Sequence, residues 1–219
     1  MRLFNITNTI EVIPNFIDLE KSEHHFTDCQ RDIMAEPHER IITHISNFRP
    51  VKRIKDVISI FDNIQKEIPA KLMLVGEGPL KEPAERLCDK MGISDKVVFL
   101  GNSNEIDKIL CFSDLFLLPS ETESFGLAAL EAMASGVPVI SSNSGGIPEV
   151  NKHGFSGFLS DVGDIEDMSK NALHILKDEQ TLKQFKANAK EESKRFDIHN
   201  IVPFYEAIYN KSLANCISV

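Results

Sequence analysis

Two carboxylates, Glu123 and Glu131, frame the residues of this chain best suited to chemistry, in "SETESFGLAALEAMASG" from Ser120 to Gly136. Glu131 sits in a run of Leu, Ala, Met and Gly. Its neighbours one helical turn away are Leu127, Ala128, Ala134 and Ser135, none of them basic. A helix apolar on every face is built for burial, and an unpaired buried carboxylate costs several kcal/mol or takes up a proton. A hydroxyl-rich ligand would relieve that cost. Adjacent ribose hydroxyls fit, since one carboxylate accepts from both; a distant Lys or Arg would serve as well. Glu123 precedes the helix, where it either faces a ligand or simply favours the positive dipole end. Thr122 or Ser124 is expected to cap the helix. Gly126 would let a ligand approach closely, with the N–H groups of Phe125, Gly126 and Leu127 facing an anion.

Three other loops could meet a ligand. In "HISNFRPVKRIKD", Arg49, Lys52, Arg53 and Lys55 cluster after an apolar run and ahead of a helical one. A cationic loop there suits a phosphate-bearing ligand. A solvated basic first turn would explain it too, at a small cost against the helix dipole. "LVGEGPLKE" places Gly76 and Gly78 at a tight turn but lacks the third glycine of a dinucleotide fingerprint. Gly145-Gly146 in "SNSGGIPEVNKHG" reads as another anion- or sugar-facing turn, or as a plain flexible loop. His44 alternates on a strand and reads as a core residue. The histidines make no pair at metal spacing, and no Ser-His-Asp or Cys-His arrangement is visible.

The elements that position these loops alternate from Arg40 onward. "RIITHIS", "KLMLVG", "KVVFLG", "DLFLLPS", "GVPVISS" and "SGFLS" are short apolar strands, separated by helical stretches such as "KDVISIFDNIQKEI" and "LKEPAERLCDKMG", the latter ended by Gly92. Such alternation indicates a parallel sheet covered on both faces: an α/β, doubly wound, Rossmann-like fold. After Asp164 the pattern is only helical. Residues 20–39 are polar and aperiodic, linker-like with one helical turn. The opening "MRLFNITNTIEVIPNFID" is mildly strand-like and starts no unit of its own, as if it closed something that came before. The expected division is 1–18 as interdomain linker or remnant of a missing N-terminal domain, 19–196 as the ligand-binding domain, and 197–219 as a C-terminal helix.

The net charge of −9 over 219 residues argues against nucleic acid as a partner. No apolar run reaches the ~18 residues of a membrane span, and no signal layout is present. Cys29, Cys88, Cys111 and Cys216 lack CxxC spacing and read as free thiols of a reducing, cytoplasmic compartment.

Taken together, "VIPNFID", "HISNFRPVKR", "LVGEGP", "VVFLG", "LPSETESFGLAALEAMASGVPVISSNSGGIPEV" and the closing helices resemble, over nearly the whole chain, the C-terminal domain of the retaining glycosyltransferases of family 4. The resemblance implies one half of a GT-B fold, the half that binds a nucleotide sugar. Glu123 and Glu131 meet that family's E-x7-E signature. By position, Glu131 would hold the ribose hydroxyls and Glu123 the donor sugar's hydroxyls. Ser124, Phe125, Gly126 and Leu127 would face sugar and diphosphate, and Lys52 would bind the diphosphate. Where the family usually has arginine before that lysine, this chain has Asn47, which makes Arg49 the candidate for the missing charge.

The wording is most similar to the subfamily that makes N-acetylglucosaminyl malate, the first step of bacillithiol synthesis. That implies UDP-N-acetylglucosamine as donor and L-malate as acceptor, the latter bound by the missing domain, with no metal required and little activity from this chain alone. A nucleotide-sensing module that lost catalysis, a family 4 transferase with another donor and acceptor, and a phosphate-binding domain of a different α/β enzyme are the alternatives.

Overall fold

Six apolar runs pair into one sheet: β1 (Arg40–Ile45), β2 (Ala70–Val75), β3 (Val97–Gly101), β4 (Leu115–Leu118), β5 (Val139–Ser142) and β6 (Gly157–Ser160). The structure, a computed structural model, describes residues 10–20 and 31–217, with side chains up to residue 213. Every pairing is parallel, in the order β3-β2-β1-β4-β5-β6. The chain winds outward from β1 through β2 to β3. It then returns to the other side of β1 for β4, so the direction of winding reverses between β1 and β4. In sheets of this kind the crevice at that reversal, outside the carboxyl ends of the strands, is where ligands bind.

The strands lack polar alternation because both of their faces are covered. In β4, Leu115 and Leu117 point into one apolar layer and Phe116 and Leu118 into another. The first layer is closed by α2 (Ile54–Gln65), α3 (Lys81–Met91), α7 (Ile165–Leu176) and part of α8 (Glu179–Ser193). As the 3.6-residue spacing predicts, Val57, Ile60, Phe61 and Ile64 of α2 are fully buried there. The second layer holds α5 (Leu127–Ala134) and α6 (Ile147–Val150), and Ala189 of α8 reaches into it. A third, smaller cluster joins β1 and β2 to α4 (Ile106–Cys111). Gly92 ends α3 in the left-handed region at φ 70°, as its position predicts.

At the amino ends of the central strands, Asp114 ties β1 to β4. It accepts from the Ile41 amide at 3.0 Å and pairs with Arg31 and Lys186, each at 2.8 Å. Burial pushes this carboxyl up, but Lys186, the Ile41 amide and Arg31 together outweigh it and hold it below the ordinary value.

Within the polar stretch 20–39, residues 31–34 form the single turn α1 (Arg31–Met34), and 21–30 lie outside the described residues. The opening segment is likewise described only from Ile10. In it Ile17 pairs with the start of α9 (Ile198–Ile217): its amide donates to Phe196 O and its carbonyl accepts from Ile198 N, both at 2.9 Å. Phe16 meets Tyr205 edge-on, while Phe204, Tyr209 and Leu213 of α9 remain largely exposed.

One expectation is overturned. Cys111 is disulfide-bonded, not a free thiol, whereas Cys88 is free and buried, which pushes its thiol up to about 11. Cys29 and the side chain of Cys216 lie outside the described residues. Spacing along the chain carries no signal for such a bond, because disulfide geometry depends on distance in space.

Candidate functional site

The loops after β1 and β4 meet at the reversal of winding. The β1 loop leaves Ile45 through Ser46–Arg49 and a single 3-10 turn, Pro50–Lys52, which lifts Lys52 towards the β4 loop. The β4 loop leaves Leu118 through Pro119–Ser124 to the start of α5. Their backbones are joined by the Glu121 amide donating to Val51 O at 2.8 Å. Across that seam Lys52 Nζ donates to Glu123 Oε1 at 2.6 Å, and Ser120 Oγ donates to the same oxygen at 2.7 Å. Both side chains are mostly buried, Lys52 at 21% and Glu123 at 14% exposure, so this is a partly desolvated ion pair rather than a surface one.

Beside the pair lies a 220 Å³ cavity lined by Lys52, Glu123, Ser124, Phe125, Gly126 and Leu127, with Asn15, Ile45, Leu118 and Ala128 completing it. Neither Thr122 nor Ser124 caps α5, contrary to expectation. The capping position is Gly126, left-handed at φ 100°, with no side-chain bond to the helix amides. Only glycine takes this backbone without strain, and a Cβ there would lie 2.4 Å from Ile147 Cδ1. An uncapped start leaves first-turn N–H groups free, with the positive dipole end at the cavity.

Glu131 requires a correction. It is exposed, because α5 is buried on all sides but one, and the open stripe is Leu127, Ala128 and Glu131. The apolar sequence around it therefore does not enclose it. Protein packed close to the carboxyl still pushes its pKa up, and Asp107 of α4 adds to the rise. Among the described residues Glu131 has no cation as partner. Among the described residues no side chain donates to this carboxylate, which lies on the stripe that continues from the cavity.

The structure thus brings six of the sequence-derived residues to one cavity: Lys52, Glu123, Ser124, Phe125, Gly126 and Leu127. Glu131 lies further along the same helix face. Asn47 and Arg49 are exposed on the β1 loop and do not line the cavity. Asn15 is the addition; the bridge at Ile17 carries it there, and only the quoted "VIPNFID" hinted at it. The glycine pairs sit where loops pack closely against one another. A Cβ on Gly76 or Gly78 would overlap the Ser46 or Asn47 carbonyl oxygens, at 1.8 and 2.0 Å. One on Gly145 or Gly146 would overlap the Glu123 or Ser124 carbonyls, at 2.1 and 2.3 Å. Each pair lets a neighbouring loop press against a loop that carries the site.

Residues 28–192 match the family described as glycosyl transferases group 1. The chain is 43% identical, over 91% of its own length and 53% of the relative's, to N-acetyl-alpha-D-glucosaminyl L-malate synthase of Bacillus anthracis. It therefore spans about half the length of that relative. Among solved structures it superposes on sucrose-phosphate synthase from Thermosynechococcus elongatus with a TM-score of 0.81 and 23% identity, covering 98% of this chain and 55% of that one. It also superposes on Anabaena HepE in complex with UDP and glucose, with a TM-score of 0.78 and 24% identity, covering 95% and 56%. At such identities the likeness is one of fold.

Proposed function

The chain belongs to the glycosyl transferases group 1 family, and from that premise we propose that it is the donor-binding half of an N-acetylglucosaminyltransferase. The donor is UDP-N-acetylglucosamine and the acceptor L-malate, bound by residues in the half of the relative's length that this chain does not span. The observation that carries the donor role is the Lys52–Glu123 pair set across the β1/β4 crevice, beside an uncapped helix start. The name of the Bacillus anthracis relative supports the sugar and the acceptor. The UDP held by the Anabaena structure supports the nucleotide.

In the transfer, the bond from the sugar carbon to the diphosphate breaks. The acceptor hydroxyl oxygen bonds to that carbon on the same face, and its proton passes to the departing diphosphate. Negative charge grows on the diphosphate as the carbon becomes oxocarbenium-like. Once a bound diphosphate has displaced Glu123 from Lys52 Nζ, that ammonium and the amides at Phe125–Leu127 face the charge as it develops and stabilise it. Glu123 orients the sugar through its hydroxyls rather than acting as nucleophile, and Glu131 accepts from the ribose hydroxyls. Calorimetric titration of the chain with UDP, UDP-N-acetylglucosamine and GDP tests the reading. The uridine nucleotides should bind and GDP should not; no heat from any of them would sink it.

A further inference from the structure

Beneath the Lys52–Glu123 pair lies a side chain that the proposed chemistry does not use. His44 is fully buried in β1, and its ring lies near-parallel to those of Phe48 (centroids 6.4 Å apart) and Phe116 (6.5 Å). Both ring nitrogens are bonded: Nδ1 to Leu117 O at 2.8 Å and Nε2 to Ser46 Oγ at 2.8 Å. A carbonyl can only accept, so Nδ1 carries the proton. Nε2 is then the acceptor, and Ser46 must donate its hydroxyl proton to it. The Ser46 oxygen in turn accepts from the Phe48 amide at 3.3 Å. The direction of the whole chain of bonds follows from its first member.

Its location gives it a task. The β1–β4 ladder runs through Ile42–Leu115 and Thr43–Phe116, and the two strands then diverge into the loops that carry Lys52 and Glu123. His44 ties the strands one step further, from β1 to the Leu117 carbonyl, and on its other side grips the first residue of the Lys52 loop. That loop is under strain, since Phe48 is held at φ 41°, in the left-handed region where a bulky residue rarely sits. Such a conformation persists only when its surroundings over-determine it. Here they are the Ser46 hydroxyl, the near-parallel rings, and the Leu80 amide donating to Phe48 O at 3.1 Å.

We infer that the His44–Ser46 pair is a positioning device that holds the Lys52 loop at the height where Lys52 meets a ligand diphosphate. This rests on the donor-site reading above. Burial, first, and the positive charge of Lys52 lower the imidazole to about 4, while the Leu117 bond and Glu123 pull it up. The ring therefore stays uncharged beside Lys52 at neutral pH.

Ser46→Ala tests the device, because it removes the hydroxyl and leaves the His44 ring packed. Titration of the 219-residue chain with UDP and with uridine should show UDP weakened about five- to tenfold and uridine unchanged. A merely structural role would weaken both alike. Nitrogen-15 imidazole spectra of the unaltered chain should show His44 as the Nδ1–H tautomer with no titration between about pH 5 and 8. Equal UDP affinity in Ser46→Ala, a parallel loss for uridine, or a His44 that titrates as the Nε2–H tautomer would each overturn the inference. Failure of the unaltered chain to bind UDP would instead bring down the donor-site reading, and this inference with it.

Discussion

Glu123→Gln should bind UDP more tightly than the unaltered chain does. Without ligand, Lys52 spends its charge on Glu123 at 2.6 Å, so a diphosphate must compete with a carboxylate for the ammonium. Exposed ion pairs contribute roughly 0.2–1 kcal/mol, and breaking fully buried ones costs roughly 3–5 kcal/mol. At 21% and 14% exposure this pair lies between, so about 1–2 kcal/mol of competition disappears with the charge. That corresponds to a roughly five- to thirtyfold lower Kd for UDP. Glutamine keeps the volume and an oxygen that can still accept from Ser120, so the loop should hold its shape. UDP-N-acetylglucosamine should gain much less, because the same carboxylate is proposed to accept from the sugar hydroxyls. Isothermal titration of both ligands at low and high salt is the assay, and the UDP gain should shrink as salt screens the pair. Unchanged or weaker UDP binding by a folded Glu123→Gln chain would refute the idea that the pair competes with the ligand.

Glu131→Gln should weaken UDP by about tenfold, through loss of charged acceptors for the ribose hydroxyls, while raising the melting temperature at neutral pH. The sign follows from a raised folded pKa: its stabilising effect is full below the unfolded value of 4.5 and is lost as pH rises through the folded value, so near pH 7 the carboxylate only costs. Asp114→Asn leaves Arg31 and Lys186 facing a neutral group and should cost about 3 kcal/mol in urea unfolding at pH 7. Because the folded carboxyl titrates below its ordinary 3.8, that difference should fade as pH falls through the folded value. Gly126→Ala forces a side chain into a left-handed position at φ 100° and should lose about 1–2 kcal/mol of stability. Its UDP affinity should fall as well, since the start of α5 must shift; an unaltered affinity by titration would count against amide contacts there.

Much of the fold was legible because strand and helix periodicities are local. The unbroken apolar runs at Leu115–Leu118 and Val139–Ile140 required a sheet covered on both sides, and the structure buries them completely. Gly92 stopped its helix where it stands. Capping was misread at Thr122 and Ser124, because Gly126 takes the capping position in a left-handed turn. Glu131 was misread as enclosed, since composition reports how apolar a helix is and not which stripe of it meets another layer. The turns at Gly76/Gly78 and Gly145/Gly146 were legible, but not that each presses on the backbone of a loop that bears the site, because such a contact is set by packing and not by the letter.

What the sequence determined alone was the set of groups able to do chemistry and the α/β alternation that presents them at strand ends. Periodicity and residue type act over a few positions, and both are written in the chain. The tertiary structure decided which of those groups meet. The strand order β3-β2-β1-β4-β5-β6 places the ends of β1 and β4 side by side, so that Lys52 reaches Glu123 across 71 positions of sequence. It also turns His44, an ordinary strand residue by its pattern, into the tie beneath them. Contacts at such separation depend on how the layers pack, because a side chain's partner across a sheet is set by register and winding and not by its neighbours along the chain.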